Sequence, residues 1–213
     1  MRILFKRSLA FSSALTLLCA SGVALGSGFA LNEESTALMG NAYAGAAASA
    51  VSPASEYYNP AQAVMVKKPA MTVGGALIPV SLKFSGKWYN GDNESAHTNG
   101  DVTADSTNLV PNIHFVSPLF KNAYFAFGLT VPYGLKTDYD TSNWSDRGVG
   151  IPTLTSVTAI NINPSIAYAV TPKLAVAAGF DAMRGEAQYN AEMADANFKN
   201  DLSGWAYGYN LGL

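Results

Sequence analysis

The sequence predicts an all-β fold: an antiparallel transmembrane β-barrel wall of about six strands, preceded by a compact amino-terminal element. Three observations predict it. Large apolar side chains alternate with small or polar ones along much of the chain, connector lengths alternate between long and short, and the amino terminus carries an export signal. The alternation is cleanest at 205–213, where Trp205, Tyr207, Tyr209, Leu211 and Leu213 fall on one face and Ala206, Gly208, Asn210 and Gly212 on the other. A soluble sandwich would bury such an aromatic face, while the small opposite face equally suits a barrel lumen. Alternation alone therefore leaves both architectures open.

The export signal comes first in the chain. Arg2, Lys6 and Arg7 precede an apolar stretch at about 9–20, and Ala24-Leu25-Gly26 offers a cleavage point before Ser27, the layout of a secretory signal peptide. Its apolar core is diluted by Ser8, Ser12, Ser13 and Thr16 and is too short for a spanning helix, which needs about 20 residues. Cys19 is the only cysteine and lies inside this segment, so residues after 26 offer no disulfide and no thiol chemistry. Without Arg2, Lys6 and Arg7 the 13 cations fall to 10 against 15 acidic residues, a formal charge near −5. That balance excludes the basic face of a nucleic-acid binder. No later apolar run reaches helical span length although 49% of the residues are hydrophobic, so any membrane crossing must be made by strands.

Residues 27–69 are rich in Ala, Gly, Ser and Asn, carry Glu33, Glu34 and Glu56, and show no sustained period of two. They predict a compact element with short helical turns, one of them over 34–48, broken by Ser52-Pro53 and Asn59-Pro60. Six strands follow. The first, 70–85, puts Ile78, Val80, Leu82 and Phe84 on one face and is expected to kink or bulge near Gly74-Gly75 or Pro79. The second, 107–117, sets Leu109, Ile113 and Phe115 against Asn108, Asn112 and His114. The third, 123–135, sets Phe125, Phe127, Leu129 and Val131 against Tyr124, Ala126, Gly128 and Thr130. The fourth, 155–170, sets Ile160, Ile162, Ile166 and Tyr168 against Asn161, Asn163, Ser165 and Ala167. The fifth, 173–187, sets Leu174, Val176 and Phe180 against Ala175, Gly179 and Asp181, and the sixth is the segment at 205–213.

Connectors decide between the architectures. Long polar loops at 86–106, 136–154 and 188–203 alternate with tight turns at 118–122 and 171–172. Outer-membrane barrels have long extracellular loops and short periplasmic turns. A soluble meander has no reason to sort connector lengths by parity, so the membrane barrel is favoured.

Six motifs spread along the chain also resemble one family, the bacterial outer-membrane transporters of long-chain fatty acids and hydrocarbons, the FadL type. They are 28–33 (GFALNE), 40–45 (GNAYAG), Asn59-Pro60-Ala61, 110–115 (VPNIHF), Pro132-Tyr133-Gly134 with Leu135, and 161–168 (NINPSIAY). The resemblance implies a barrel of about 14 strands, divided here into a signal peptide at 1–26, a hatch that plugs the lumen at 27–69, and a partial barrel at 70–213. It implies capture of a hydrophobic molecule outside and sideways release at a kinked third strand. Asn59, Pro60 and Ala61 would pin the hatch, since Pro fixes φ and Asn bonds nearby backbone; an ordinary loop turn is the plain alternative. Pro132 cannot donate to a ladder and Gly134 permits a bend, so at Pro132, Tyr133 and Gly134 either strand pairing fails or the strand simply ends. The resemblance further points to Phe29, Asn161, Asn163, Asp181 and Arg184 along the ligand path, and to fatty acids, outer-membrane lipid and the barrel assembly machinery as partners.

Other chemistry finds little support. His97 and His114 are the only histidines and have no cysteine or second histidine at metal spacing. No Gly-x-Ser-x-Gly surrounds any serine, so neither catalysis nor a cofactor is expected. Asn93-Glu94-Ser95 and Asn143-Trp144-Ser145 fit a glycosylation pattern that a bacterial export signal makes irrelevant. Trp88, Tyr89 and Trp144 near loop bases suit a membrane interface. A surface adhesin or general porin is the alternative to a transporter, but a porin calls for a charged lumen, and these inner faces carry Asn, Ser, Ala and Gly. The smallest bacterial single-chain barrels use about eight strands, so six leave unpaired edges. The chain is therefore expected to be an amino-terminal portion that does not transport by itself.

Overall fold

The computed structural model describes residues 29–49, 52–85, 87–89, 96–98, 102–139, 151–193 and 196–213. The expected signal peptide, Asn93 and Trp144 lie outside these residues. Strands β1 (Ala70–Phe84), β4 (Val102–Phe120), β5 (Ala123–Asp138), β6 (Ile151–Thr171), β7 (Leu174–Met193) and β8 (Ala196–Gly212) form one antiparallel sheet in chain order. Two short strands, β2 (Lys87–Tyr89) and β3 (Ala96–Thr98), pair with each other in the first connector. Every neighbour in the large sheet is also a neighbour in sequence, which is the up-and-down order of a barrel wall. Among the described residues no helix is long and apolar enough to cross a membrane.

Alternation sorts the faces as the sequence predicts. On β4 to β8 the inner face carries Asn112, His114, Ala126, Gly128, Asn161, Asn163, Ser165, Asp181 and Asn210, and the outer face carries Leu109, Ile166, Phe180 and Tyr209. Outer side chains are widely exposed, Tyr209 by 81% and Leu77 by 69%, as expected of a surface whose natural solvent is lipid. Phe180 stacks on Tyr207, and Tyr207 on Trp205, across β7 and β8.

Five expectations about elements are corrected, the last of them in the amino-terminal segment. Strand β1 has no bulge at Gly74-Gly75 or Pro79, because its register with β4 runs unbroken from Ala70↔Val116 to Phe84↔Val102. β1 lies at the sheet edge, where a residue without an N–H is tolerated. Its outward residues are Met71, Val73 and Leu77, whereas Ile78 and Val80 turn inward. The third long loop, 188–203, is mostly strand, with a ladder from Gln188↔Asp201 to Met193↔Ala196. Alternation there changes phase, with Leu174, Val176 and Phe180 even-numbered but Tyr189, Ala191 and Met193 odd-numbered, so no single run of period two spans the strand. β4 likewise begins at Val102 and β6 at Ile151, well ahead of the expected starts.

Residues 29–69 pack on the inner face. Helix α1 (Thr36–Met39) is one turn long, capped by the Ser35 Oγ, which accepts from the Leu38 N–H. It does not continue to 48, because Ala42, Tyr43 and Gly45 all take positive φ and fold the chain into successive turns. Helix α2 (Ser55–Tyr58) leads through Asn59 into a 3₁₀ helix (Pro60–Met65). Ala61 and Ala63 of that helix pack on Val116, Ala126, Ala167 and Ala177, one small residue from each of β4 to β7. Alanines on both sides let a helix backbone lie close against a sheet, which larger side chains would prevent.

Candidate functional site

The wall is not uniformly sealed. β4 and β5 pair from Phe120↔Ala123 up to Ile113↔Leu129, and no further. Above that point β4 remains paired to β1 as far as Val102, and β5 remains paired to β6 as far as Asp138. The ladder between β5 and β6 slips between Thr130 and Tyr133, a bulge that includes Val131 and Pro132. Two wall strands therefore part around Pro132, Tyr133 and Gly134. The strand does not end there: β5 runs on to Asp138.

A short extended piece of the amino-terminal segment occupies the parting. The Leu31 N–H donates to the Pro132 carbonyl at 2.9 Å, and the Gly134 N–H donates to the Phe29 carbonyl at 3.0 Å. Ala30 forms an isolated antiparallel bridge with Tyr133. Beside it lies a cavity of about 290 Å³ with an apolar side formed by Leu31, Ile78, Val80, Val110, Val131 and Leu135, and a polar side formed by Thr107, Asn108, Lys136, Ser156 and Thr158. The inward turn of Ile78 and Val80 supplies part of the apolar side. Phe29 is half exposed next to it.

At the opposite end Asn59, Pro60 and Ala61 hold three elements together. The Asn59 Oδ1 accepts from the Ala61 N–H at 3.1 Å, and its Nδ2 donates to the carbonyls of Ala47 at 3.2 Å and Leu213 at 2.8 Å. Pro60 opens the 3₁₀ helix, where its missing N–H costs nothing. Gly212 of β8 lies so close that a Cβ there would come within 2.5 Å of the Asn59 Oδ1 and 2.8 Å of the Ala61 nitrogen. Only glycine fits that contact.

Between these two ends runs a buried polar band. The His114 Nδ1 is 2.9 Å from the Glu56 Oε1, and its Nε2 is 2.8 Å from the Glu34 carbonyl. His114 has no exposed surface, and Gly128 beside it would place a Cβ 2.5 Å from the Glu56 Oε1. Burial pushes the Glu56 carboxyl above its ordinary value; the His114 bond pulls it back and the charge of Asp181 raises it further. Burial likewise raises Glu34 and the hydroxyls of Tyr57 and Tyr58. Further along the band the Asp181 carboxylate accepts from three amides, Asn161 at 2.9 Å, Asn163 at 2.8 Å and Asn210 at 3.0 Å. Three of about four acceptor sites of that carboxylate are thus bonded, and these bonds tie β6, β7 and β8 together on the inner face.

Of the residues expected along a ligand path, Asn161, Asn163 and Asp181 are thus brought together, and Phe29 lies at the parting. Arg184 is not with them. It sits on the outer face, with its Nε 3.4 Å from the Glu186 Oε1 and its guanidinium 5.8 Å from the Trp205 ring centroid. The reason is register: Arg184 is three positions from Asp181, and an odd step reverses the face of a strand. Glu56 and Asn210 were not anticipated as site residues. A lone histidine on an inner face needs a buried partner, and Glu56 is one of few carboxylates in the segment expected inside, which is the signal that pairs them. Among the described residues no group of His, Cys, Asp and Glu is placed to hold a metal ion.

Comparison with known proteins gives consistent results. A family model described as outer membrane protein transport protein (OMPP1/FadL/TodX) matches residues 17–213. Outer membrane protein P1 of Haemophilus influenzae is 34% identical over 185 residues, which cover 82% of this chain and 40% of that protein. The long-chain fatty acid transport protein of Escherichia coli K12 is 32% identical over 189 residues, covering 88% and 40%. The chain spans about 40% of the length of these curated relatives. A crystal structure of a Pseudomonas aeruginosa FadL homologue superposes with a TM-score of 0.67 at 18% identity, covering 87% of this chain and 49% of that one. That likeness establishes the fold, including the antiparallel barrel type.

Proposed function

This chain belongs to the outer membrane transport protein family OMPP1/FadL/TodX, and from that premise we propose that it forms the amino-terminal part of an outer-membrane barrel that carries hydrophobic molecules such as long-chain fatty acids. Residues 27–69 act as the hatch and 70–213 as the first part of the wall, after removal of a signal peptide at 1–26. The barrel works in outer-membrane lipid, after insertion by the barrel assembly machinery. The activity is that of a whole barrel: among the described residues β1 and β8 each leave one edge unpaired, and in lipid each unsatisfied backbone group costs several kcal/mol.

The proposed route runs from capture outside to lateral exit beside Pro132, Tyr133 and Gly134. The observation that carries it is the end of the β4–β5 ladder at Ile113↔Leu129 next to a cavity with one apolar side, Leu31, Ile78, Val80, Val110, Val131 and Leu135. A fatty acid or hydrocarbon gains about 25 cal/mol for each Å² of apolar surface kept from water, so a dry side exit into lipid suits it better than a wet pore. Asn59-Pro60-Ala61 keeps the hatch seated, so the lumen itself stays closed while substrate leaves through the wall.

The test uses a full-length chimera in which residues 1–213 are joined to the carboxy-terminal portion of the E. coli relative, with oleate uptake as readout. Pro132→Val restores a ladder N–H at the parting and leaves Gly134, where a Cβ would come within 2.9 Å of Leu31. Uptake is expected to fall about tenfold in a barrel that is no less stable, since one added hydrogen bond contributes about 1 kcal/mol. Unchanged uptake in that variant would move the route to the lumen.

A further inference from the structure

The buried pair Glu56–His114 lies at the apex of the parting between β4 and β5. His114 faces Gly128 in the register, one pair below Ile113↔Leu129, where the ladder stops. It touches both halves of the amino-terminal segment: Glu56 on α2, and the backbone of Glu34, three residues after the Leu31 that fills the parting. A carbonyl oxygen can only accept, so the Glu34 bond fixes the hydrogen on the His114 Nε2. Nδ1 then either accepts from a protonated Glu56 or donates to an ionised one, and the pair keeps its bond either way. Gly128 and the unbonded, buried Glu56 Oε2 show how closely the wall receives this side chain.

We propose that Glu56 and His114 form a latch that couples the seating of the hatch to the plugging of the parting by residues 29–31. Glu56 is a positioning residue: it holds His114, His114 holds Glu34, and Glu34 anchors the strand piece that bridges to Tyr133. The latch bears on transport only if substrate leaves through this parting, so it rests on the function proposed above. Its geometry, however, can be read without any substrate.

In the same chimera, Ala30→Cys with Tyr133→Cys places a cysteine pair across the isolated bridge, and disulfide yield under mild oxidation reports how fully residues 29–31 occupy the parting. Glu56→Ala and His114→Ala should each lower the yield about tenfold, the double variant should be no worse than either single, and Glu56→Gln should restore most of it because its amide can donate to Nδ1. Heat-resistant gel migration of the barrel should be unchanged throughout. If either alanine variant fails to assemble, His114→Gln serves: its amide reaches the Nε2 position, keeps the Glu34 bond and loses Glu56. A full yield in Glu56→Ala or in His114→Gln, or single effects that add in the double, overturns the latch. Oleate uptake by the chimera without these substitutions tests the transport reading separately, so the two can fail independently.

Discussion

The lower and upper stretches of the β4–β5 pair are built differently. Below Ile113 the two strands are bonded to each other, and the 3₁₀ helix fills the space inside them with Ala61 and Ala63 against Val116 and Ala126. Above it the strands separate, and the space is taken by three residues, 29–31, held to β5 by two backbone hydrogen bonds. The lower stretch is sealed by packed side chains, each contributing burial on a scale of kcal/mol. The upper one rests on contacts worth about 1 kcal/mol each. In one wall, then, the same two strands carry a part that resists opening and a part that yields, and the function proposed here needs both.

The largest expected effect breaks the sealed part. Gly212→Val forces a side chain into Asn59 and the Ala61 backbone, an overpacking that costs about 3 kcal/mol, and should unseat the hatch. Small-solute leakage through the full-length chimera, read as antibiotic sensitivity of cells, should rise sharply. Gly185→Val is the control, since nothing lies within 4 Å of its Cβ position. Equal leakage in the two variants would show that Gly212 is not where the hatch is seated. A smaller effect in the same place comes from Asn59→Ala, which removes a cap and two further bonds for about 2 kcal/mol. Leakage should increase moderately, and occupancy of the Ala30–Tyr133 bridge should fall by a smaller factor, since the Glu56–His114 contact between the two is left in place.

Leu31→Pro sharpens the comparison from the other side. It removes the N–H that the Pro132 carbonyl accepts, at a cost of about 1 kcal/mol, and should raise the reactivity of a cysteine at Ala30 toward a lipid-soluble maleimide severalfold. Leakage should change far less than this reactivity, because the coupling through Glu56–His114 is weaker than the hatch packing. If leakage rises by the same factor, the two stretches open as one unit and the distinction between them fails.

How much of this could be read from sequence follows from what alternation can report. Inner and outer faces of β4 to β7 were legible from the period of two as far as the bulge in β5, where Val131, expected on the face of Phe125, Phe127 and Leu129, turns inward and is buried. Strand ends were not, since the apolar phase of β7 shifts between Phe180 and Tyr189 while the ladder runs on unbroken to Met193↔Ala196. Pro132 and Gly134 marked the parting, yet nothing in the sequence said that Phe29 and Leu31 would fill it, a contact across about a hundred residues. The Glu56–His114 pair was signalled only by a lone inner-face histidine in need of a partner; which of the few inner carboxylates it meets is decided by the docking of α2 on β4. Arg184 was misread because chemistry was weighed without counting the odd step from Asp181.

The smallest expected effect concerns pH and separates the two stretches without mutating either. Glu56 titrates above its ordinary value of 4.5, chiefly because it is buried, and Glu34 is raised in the same direction. Facing Glu56 are His114 on β4 and the charge of Asp181 on β7. In a displaced hatch Glu56 would be solvated and ordinary, so the seated hatch binds the proton more tightly. Stability from that proton is fully present below pH 4.5 and is lost as pH rises through the raised value. Seating should therefore weaken from mildly acidic toward neutral pH, seen as greater small-solute conductance of the chimera in planar bilayers. Glu56→Gln, which mimics the protonated carboxyl, should flatten most of that slope and leave the remainder to Glu34. A conductance that falls with rising pH would mean that the His114 bond outweighs burial at Glu56, and the latch would then hold as an ion pair.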